Sequence, residues 1–147
     1  MLIASLACVL LVAVTTLIHY EALRVLNTAL PGLGIPNRTK LLLVIFATFA
    51  AHAIEIAVYG IALYLLVRYV GVGALSGNEG FSLDSCLYFS AETYTSLGFG
   101  DIEPMGPTHL IAGVEALNGL LLIGWSTSFA YISMERFWIA RNGRDGT

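Results

Sequence analysis

Three long apolar runs set the pattern of this chain. Residues 1–18 hold no charge and no histidine, residues 41–67 are interrupted by His52 and Glu55, and residues 104–134 carry one formal charge, Glu115. Each run can supply about 20 helical residues, enough to span a hydrocarbon layer of about 30 Å, so the pattern predicts three membrane crossings. Pro31, Gly32, Gly34 and Pro36 break the chain between the first two runs. Thr39 is expected to cap the second helix, with Lys40 anchoring it at the interface. A more polar stretch, 71–103, separates the second and third runs. Within it, Leu83 to about Tyr94 has the content of a helix of about three turns, with Ser82 as its N-cap. Such a helix is too short to cross and must enter and turn back.

Composition sharpens this picture. Of 147 residues, 57% are hydrophobic and 12% charged, and the mean hydropathy is +0.80. Soluble domains carry about 25% charge. So much apolar surface excludes disorder and argues against a soluble globule. A net charge of −3 argues against a nucleic-acid partner. Arg24, Arg38 and Lys40 lie in the first connection, and Arg136, Arg141 and Arg144 follow the third run. The positive-inside rule then puts residues 21–40 and the C-terminus in the cytoplasm and the N-terminus outside. Glu79, Asp84, Asp101 and Glu103 gather in the outward segment, where they are either solvated loop acids or a means of concentrating cations. The first run lacks a basic n-region, which argues against a cleaved signal peptide. Cys8 and Cys86 read as small hydrophobes, without disulfide or metal spacing.

The candidate chemistry lies at Thr95-Ser96-Leu97-Gly98-Phe99-Gly100-Asp101. Glycines at alternate positions open backbone conformations closed to L-residues, so successive carbonyls can point one way. Irregular backbone at membrane depth is tolerated where it is buried in protein or lines water. The run FSAETYTSLGFGD, Phe89 to Asp101, resembles the pore loop of the tetrameric potassium-channel superfamily, T-x-x-T-x-G-[YF]-G-D, with Ser96 in place of the second Thr. It is similar to both the two-helix proton-gated bacterial channel and the inward rectifiers.

The resemblance implies an all-α membrane protein with three transmembrane helices, a re-entrant pore helix and a selectivity-filter loop, assembling as a homotetramer. It implies an extra N-terminal helix and cytoplasmic turn at 1–30, a linker at 31–40, a pore domain at 41–138 and a short tail at 139–147. Within the pore domain it implies an outer helix at 41–70, a pore helix at 83–95, a filter at 96–100 and an inner helix at 107–138. K+ ions would be held by carbonyls of Ser96, Leu97, Gly98 and Phe99, the Ser96 hydroxyl completing the innermost site, with Gly100 closing the loop and no organic cofactor. Thr93, Glu92, Tyr88 and Asp101 would support the filter. Glu92 and Asp101 would lie close behind it and share a proton, and Tyr88 would stand where the family has a Trp bonded to the aspartate. Phe99 replaces the commoner Tyr and lacks its bracing hydroxyl. Gly119 matches the hinge glycine, with Gly124 a second flexible point. Leu120, Ile123, Thr127 and Tyr131 would then line the path or form the gate. Pro107 suits the first turn of the inner helix. The implied setting is a bacterial inner membrane.

Glu55 and Glu115 sit inside apolar helices, where acids are costly and need partners. His52, three residues before Glu55, shares its face, and His19 lies near the inner end of helix one. Such a set can sense pH, relay protons, hold a metal or simply lock helices together. Asn118 is expected to glue helices or brace the pore helix, and His109 to be exposed. No soluble regulatory domain and no row of voltage-sensing arginines is expected. The reading is passive K+ conduction without catalysis. Its alternatives are a nonselective cation channel of the same architecture, a potassium-transporter pore subunit, or a non-conducting membrane scaffold.

Overall fold

A computed structural model of the chain describes residues 1–77 and 80–142. Glu79 and the end of the expected tail, 143–147, lie outside the described residues. Helix α1 runs Leu2–Ala29 and closes on a 3-10 turn, Leu30–Gly32. Helix α2 runs Asn37–Leu65 and loosens into a π turn, Leu66–Val70, before a left-handed Gly71 ends it. Strand β1 is Ala74–Gly77, helix α3 Leu83–Tyr94, strand β2 Ile102–Met105 and helix α4 Thr108–Asn142.

Three of these helices are long and apolar enough to cross a membrane: Leu2–Gly32, Asn37–Val70 and Thr108–Arg136. Their apolar residues are not mainly in the core. Leu6, Val9, Leu17, Phe46, Phe49, Leu117 and Leu121 stay exposed on the single chain. Such surface suits lipid, where helices satisfy every backbone group internally. The buried stripe of α1 is Ala4, Cys8, Leu11, Thr15, His19, Leu23 and Leu26, and that of α2 is Val44, Thr48, Ala51, Glu55, Tyr59 and Leu63. Both recur every three or four residues, one helical face each. One apolar cluster gathers Ala4, Cys8, Leu11, Tyr59, Val72, Tyr94 and Ile111. A second gathers Leu23, Leu26, Leu30 and Val44. Along α1 and α2, the polar residues His19 and Glu55 fall between the two clusters.

Glycines allow close crossings at two places. A Cβ on Gly60 would stand 2.9 Å from Leu87 Cα, and one on Gly119 would stand 2.1 Å from the Tyr94 carbonyl oxygen. The short helix α3 is thereby wedged against α2 and α4.

Two details differ from expectation. Thr39 does not cap α2: Pro36 holds the N-cap position, and its carbonyl accepts the Thr39 N–H at 3.0 Å. The fixed φ of proline already sets the chain for helix entry. The polar stretch also contains an antiparallel pair, Ala74 opposite Met105 and Gly77 opposite Ile102. Thr108 pins this pair to α4, since its hydroxyl oxygen accepts the Met105 N–H at 2.9 Å and lies 3.0 Å from the Ala74 carbonyl. Ser82 does cap α3, accepting the Ser85 N–H at 3.0 Å.

Candidate functional site

The loop after α3 is organised by one residue. The Glu92 main-chain carbonyl accepts the Leu97 N–H at 2.8 Å and the Gly98 N–H at 3.4 Å. Its side-chain Oε2 accepts the Phe99 N–H at 3.1 Å. In a trans peptide the C=O points opposite the following N–H. Holding these three N–H groups therefore turns the Ser96, Leu97 and Gly98 carbonyls away from Glu92. The backbone alternates to allow it: φ is 58° at Ser96, 57° at Gly98 and 79° at Gly100. Ser96 is the single non-glycine residue with positive φ among the described residues. Such a conformation costs about 1–3 kcal/mol and marks sites where the surroundings impose it.

Around this loop, the Thr93 carbonyl accepts the Ser96 N–H at 3.0 Å, and Thr95 turns its hydroxyl back onto the Ala91 carbonyl at 2.8 Å. The Tyr88 and Phe99 rings stack 6.5 Å apart at 8°. Leu97, Phe99 and Asp101 remain exposed on the single chain. Burial pushes the Glu92 carboxyl above its ordinary value; the Phe99 N–H opposes this, and the negative charge of Asp101 adds to it. The expected Glu92–Asp101 pair is thus asymmetric. Glu92 takes its hydrogen bond from Phe99, and Asp101 acts on it through space.

A second polar site lies behind the loop. His19 Nδ1 is 2.9 Å from Glu55 Oε1, both side chains fully buried. His52 Nδ1 is 3.1 Å from Glu55 Oε2 and 2.9 Å from the Tyr94 hydroxyl. Tyr94 also donates to Glu55 Oε2. Ser126 Oγ lies 3.0 Å from His52 Nε2 and 3.2 Å from His19 Nε2. One connected set therefore joins α1, α2, the last residue of α3, and α4. Glu115 belongs to a separate group: its Oε1 takes the Ser90 hydroxyl, and its Oε2 has no hydrogen-bond partner among the described residues. Asn118 Nδ2 donates to Thr15 Oγ1 at 2.7 Å and Tyr59 Oη at 3.2 Å, linking α4 to α1 and α2. His109 is exposed, its Nδ1 2.9 Å from the Gly106 carbonyl.

On α4, Gly119 is buried against the end of α3, Ile123 is half-buried, and Leu120, Thr127 and Tyr131 are exposed on the single chain. The model of a family described as "Ion channel" matches residues 40–136, roughly two thirds of the chain. The chain belongs to this family. The match agrees with the potassium-channel pore superfamily suggested by the loop motif. It begins at the first turn of α2 and ends in α4, so α1 lies outside it. This is an ion channel with three candidate membrane-spanning helices. No curated protein and no solved structure gave a match to the chain.

Sequence reasoning missed Tyr94 and Ser126 as partners of the His/Glu set. Ser126 had a faint signal: with Glu115, Asn118 and Leu122 it recurs every three or four residues along α4. Tyr94 had none.

Proposed function

We propose that this channel is potassium-selective and assembles as a homotetramer, four 96–100 loops forming one carbonyl-lined filter. The carrying observation is the alternation of positive φ at Ser96, Gly98 and Gly100 with Glu92 holding the N–H groups of Leu97, Gly98 and Phe99. One loop supplies one quarter of a ring, so the ring needs closed symmetry. Carbonyls of Ser96, Leu97, Gly98 and Phe99 replace the hydration shell of K+. Helix α3 is then the re-entrant pore helix, and Leu120, Ile123, Thr127 and Tyr131 line the path below. Exposure of Leu120, Thr127 and Tyr131 on the single chain favours this face. Gly119 serves close packing at Tyr94 and is also the hinge position. The N-terminus faces outward and the C-terminus the cytoplasm.

Reversal potentials under opposed K+ and Na+ gradients test the reading. A potential near that of K+ is expected. Equal permeability would replace it with a nonselective cation pore, and current no faster than transporter turnover would reject a channel outright.

A further inference from the structure

The buried His–His–Glu set has no task in the pore as described. We propose that His19, His52 and Glu55 bind one divalent transition cation of the Zn2+ class, tying α1 to α2 beside the end of α3. The site is complete within one chain. It includes a residue of α1, which lies outside the family match, and it does not depend on the selectivity of the pore.

The geometry is close to a coordination sphere. His19 Nδ1 is 2.9 Å from Glu55 Oε1, His52 Nδ1 is 3.1 Å from Glu55 Oε2, and the three ligand atoms all lie within 4.8 Å of one another. Ligands about 2.0–2.1 Å from a tetrahedral ion stand about 3.3 Å apart, so shifts of about an ångström seat the ion. Two imidazoles and one carboxylate suit Zn2+ and its neighbours better than Mg2+ or Ca2+, which favour oxygen. Tyr94 donates to Glu55 Oε2 and so orients the carboxylate. The fourth position, beside that phenol, is left for solvent. His52 keeps 17% side-chain exposure, whereas His19 and Glu55 have none, so an ion enters from the His52 side.

The outer contacts are those a bound ion would use. Both rings turn Nδ1 to the carboxylate and Nε2 to the same Ser126 oxygen, at 3.0 and 3.2 Å. A hydroxyl has one hydrogen and two lone pairs, so it accepts from two Nε2–H groups but cannot donate to two bare nitrogens. With an ion on the Nδ1 side, each ring carries its proton on Nε2 and Ser126 accepts both. The proton count balances from the Nδ1–H tautomers: as the ion takes Nδ1 of each ring, that ring's proton moves to Nε2. Histidine ligands are commonly held in this way through their second nitrogen.

The test is a Co2+ titration of the purified full chain in detergent, free of any histidine tag. Visible ligand-field absorption of a tetrahedral ion should saturate at one Co2+ per chain, and Zn2+ should displace it. His52→Gln should abolish the band, and His109→Ala should keep it. Ser126→Ala retains all three ligands, so it should keep the band at saturation with affinity lowered about 10–100-fold. Circular dichroism of each variant reports whether its helices persist. Absence of stoichiometric absorption in the wild-type protein overturns the site and leaves a hydrogen-bond lock held by protons. A band that survives His52→Gln and disappears in His109→Ala overturns it equally.

Discussion

The loop at 96–100 and the layer around Glu55 both place polar groups in an apolar chain, but they satisfy them in different ways. In the loop, one acid serves a run of neighbours: Glu92 holds the N–H groups of Leu97, Gly98 and Phe99 within seven residues of itself. The side chains of Leu97 and Phe99 stay exposed, and the chain tolerates an unusual φ at Ser96. In the layer, one acid serves three other residues: Glu55 meets His19 across 36 positions, Tyr94 across 39 and His52 within its own helix. The first site is local and turns its carbonyls away from Glu92. The second is long-range and closed except at His52. They meet at adjacent residues, since Tyr94 ends α3 and Thr95 opens the loop. The difference separates an exposed site built within one stretch of chain from a buried one that joins separate helices.

The largest expected effect falls on the loop alone. Gly98 has φ 57° and no atom of its own chain within 4 Å of an added Cβ, so Gly98→Ala spares packing within the chain but strains the backbone. The left-handed conformation costs an L-residue about 1–2 kcal/mol, and the exposed loop relieves this by leaving its carbonyl geometry while the helices stay packed. K+ flux should fall by more than about 100-fold, with the thermal unfolding of the protein little changed. Equal losses of flux and stability would erase the contrast between the two regions.

Next is Glu55→Ala, which strands two histidines and Tyr94. Leaving a buried donor without its acceptor costs about 1–3 kcal/mol for each group stranded, read as a lowered midpoint of thermal unfolding in detergent. A change under about 1 kcal/mol would show that the layer does not hold the helices. Gly119→Val tests the contact between the regions. Its Cβ would overlap the Tyr94 carbonyl, and overpacking of this kind costs about 1–3 kcal/mol. Both stability and flux should fall.

The smallest effect is a pH slope. The Glu92 carboxyl titrates above its ordinary 4.5 in the folded chain. Above that ordinary value the unfolded chain releases a proton that the folded chain keeps. The contribution to stability is therefore complete below about 4.5 and is lost as pH rises through the raised value. Glu92→Gln keeps an acceptor for the Phe99 N–H and should flatten the slope of the unfolding midpoint over this window. An unchanged slope would assign it to another group.

The sequence was informative where structure is local. The three apolar runs, the Ser82 cap and the alternating Gly98 and Gly100 each declare themselves within a few residues, and the helices formed where the runs lie. The core was not legible in the same way. In an apolar chain hydrophobicity marks lipid-facing positions as strongly as buried ones, so the inner stripes are recognised by their small and polar members, such as Ala4, Thr15, His19 and Ser126. The β1–β2 pair was hidden because its strands are four residues each and Pro104 sits within one of them. Tyr94 stood in the sequence only as the approximate end of the short helix. Its partner Glu55 is on another helix, and no pattern within the α3 segment encodes that distance.

The central claim is that the 96–100 loop selects K+. Purified protein in liposomes, loaded for K+ or for Na+ efflux and compared with Gly98→Ala, tests it most directly. The account predicts rapid K+ efflux, little Na+ efflux and loss of both in the variant. Equal efflux of the two ions from the wild-type protein, or K+ efflux that survives Gly98→Ala, would contradict it.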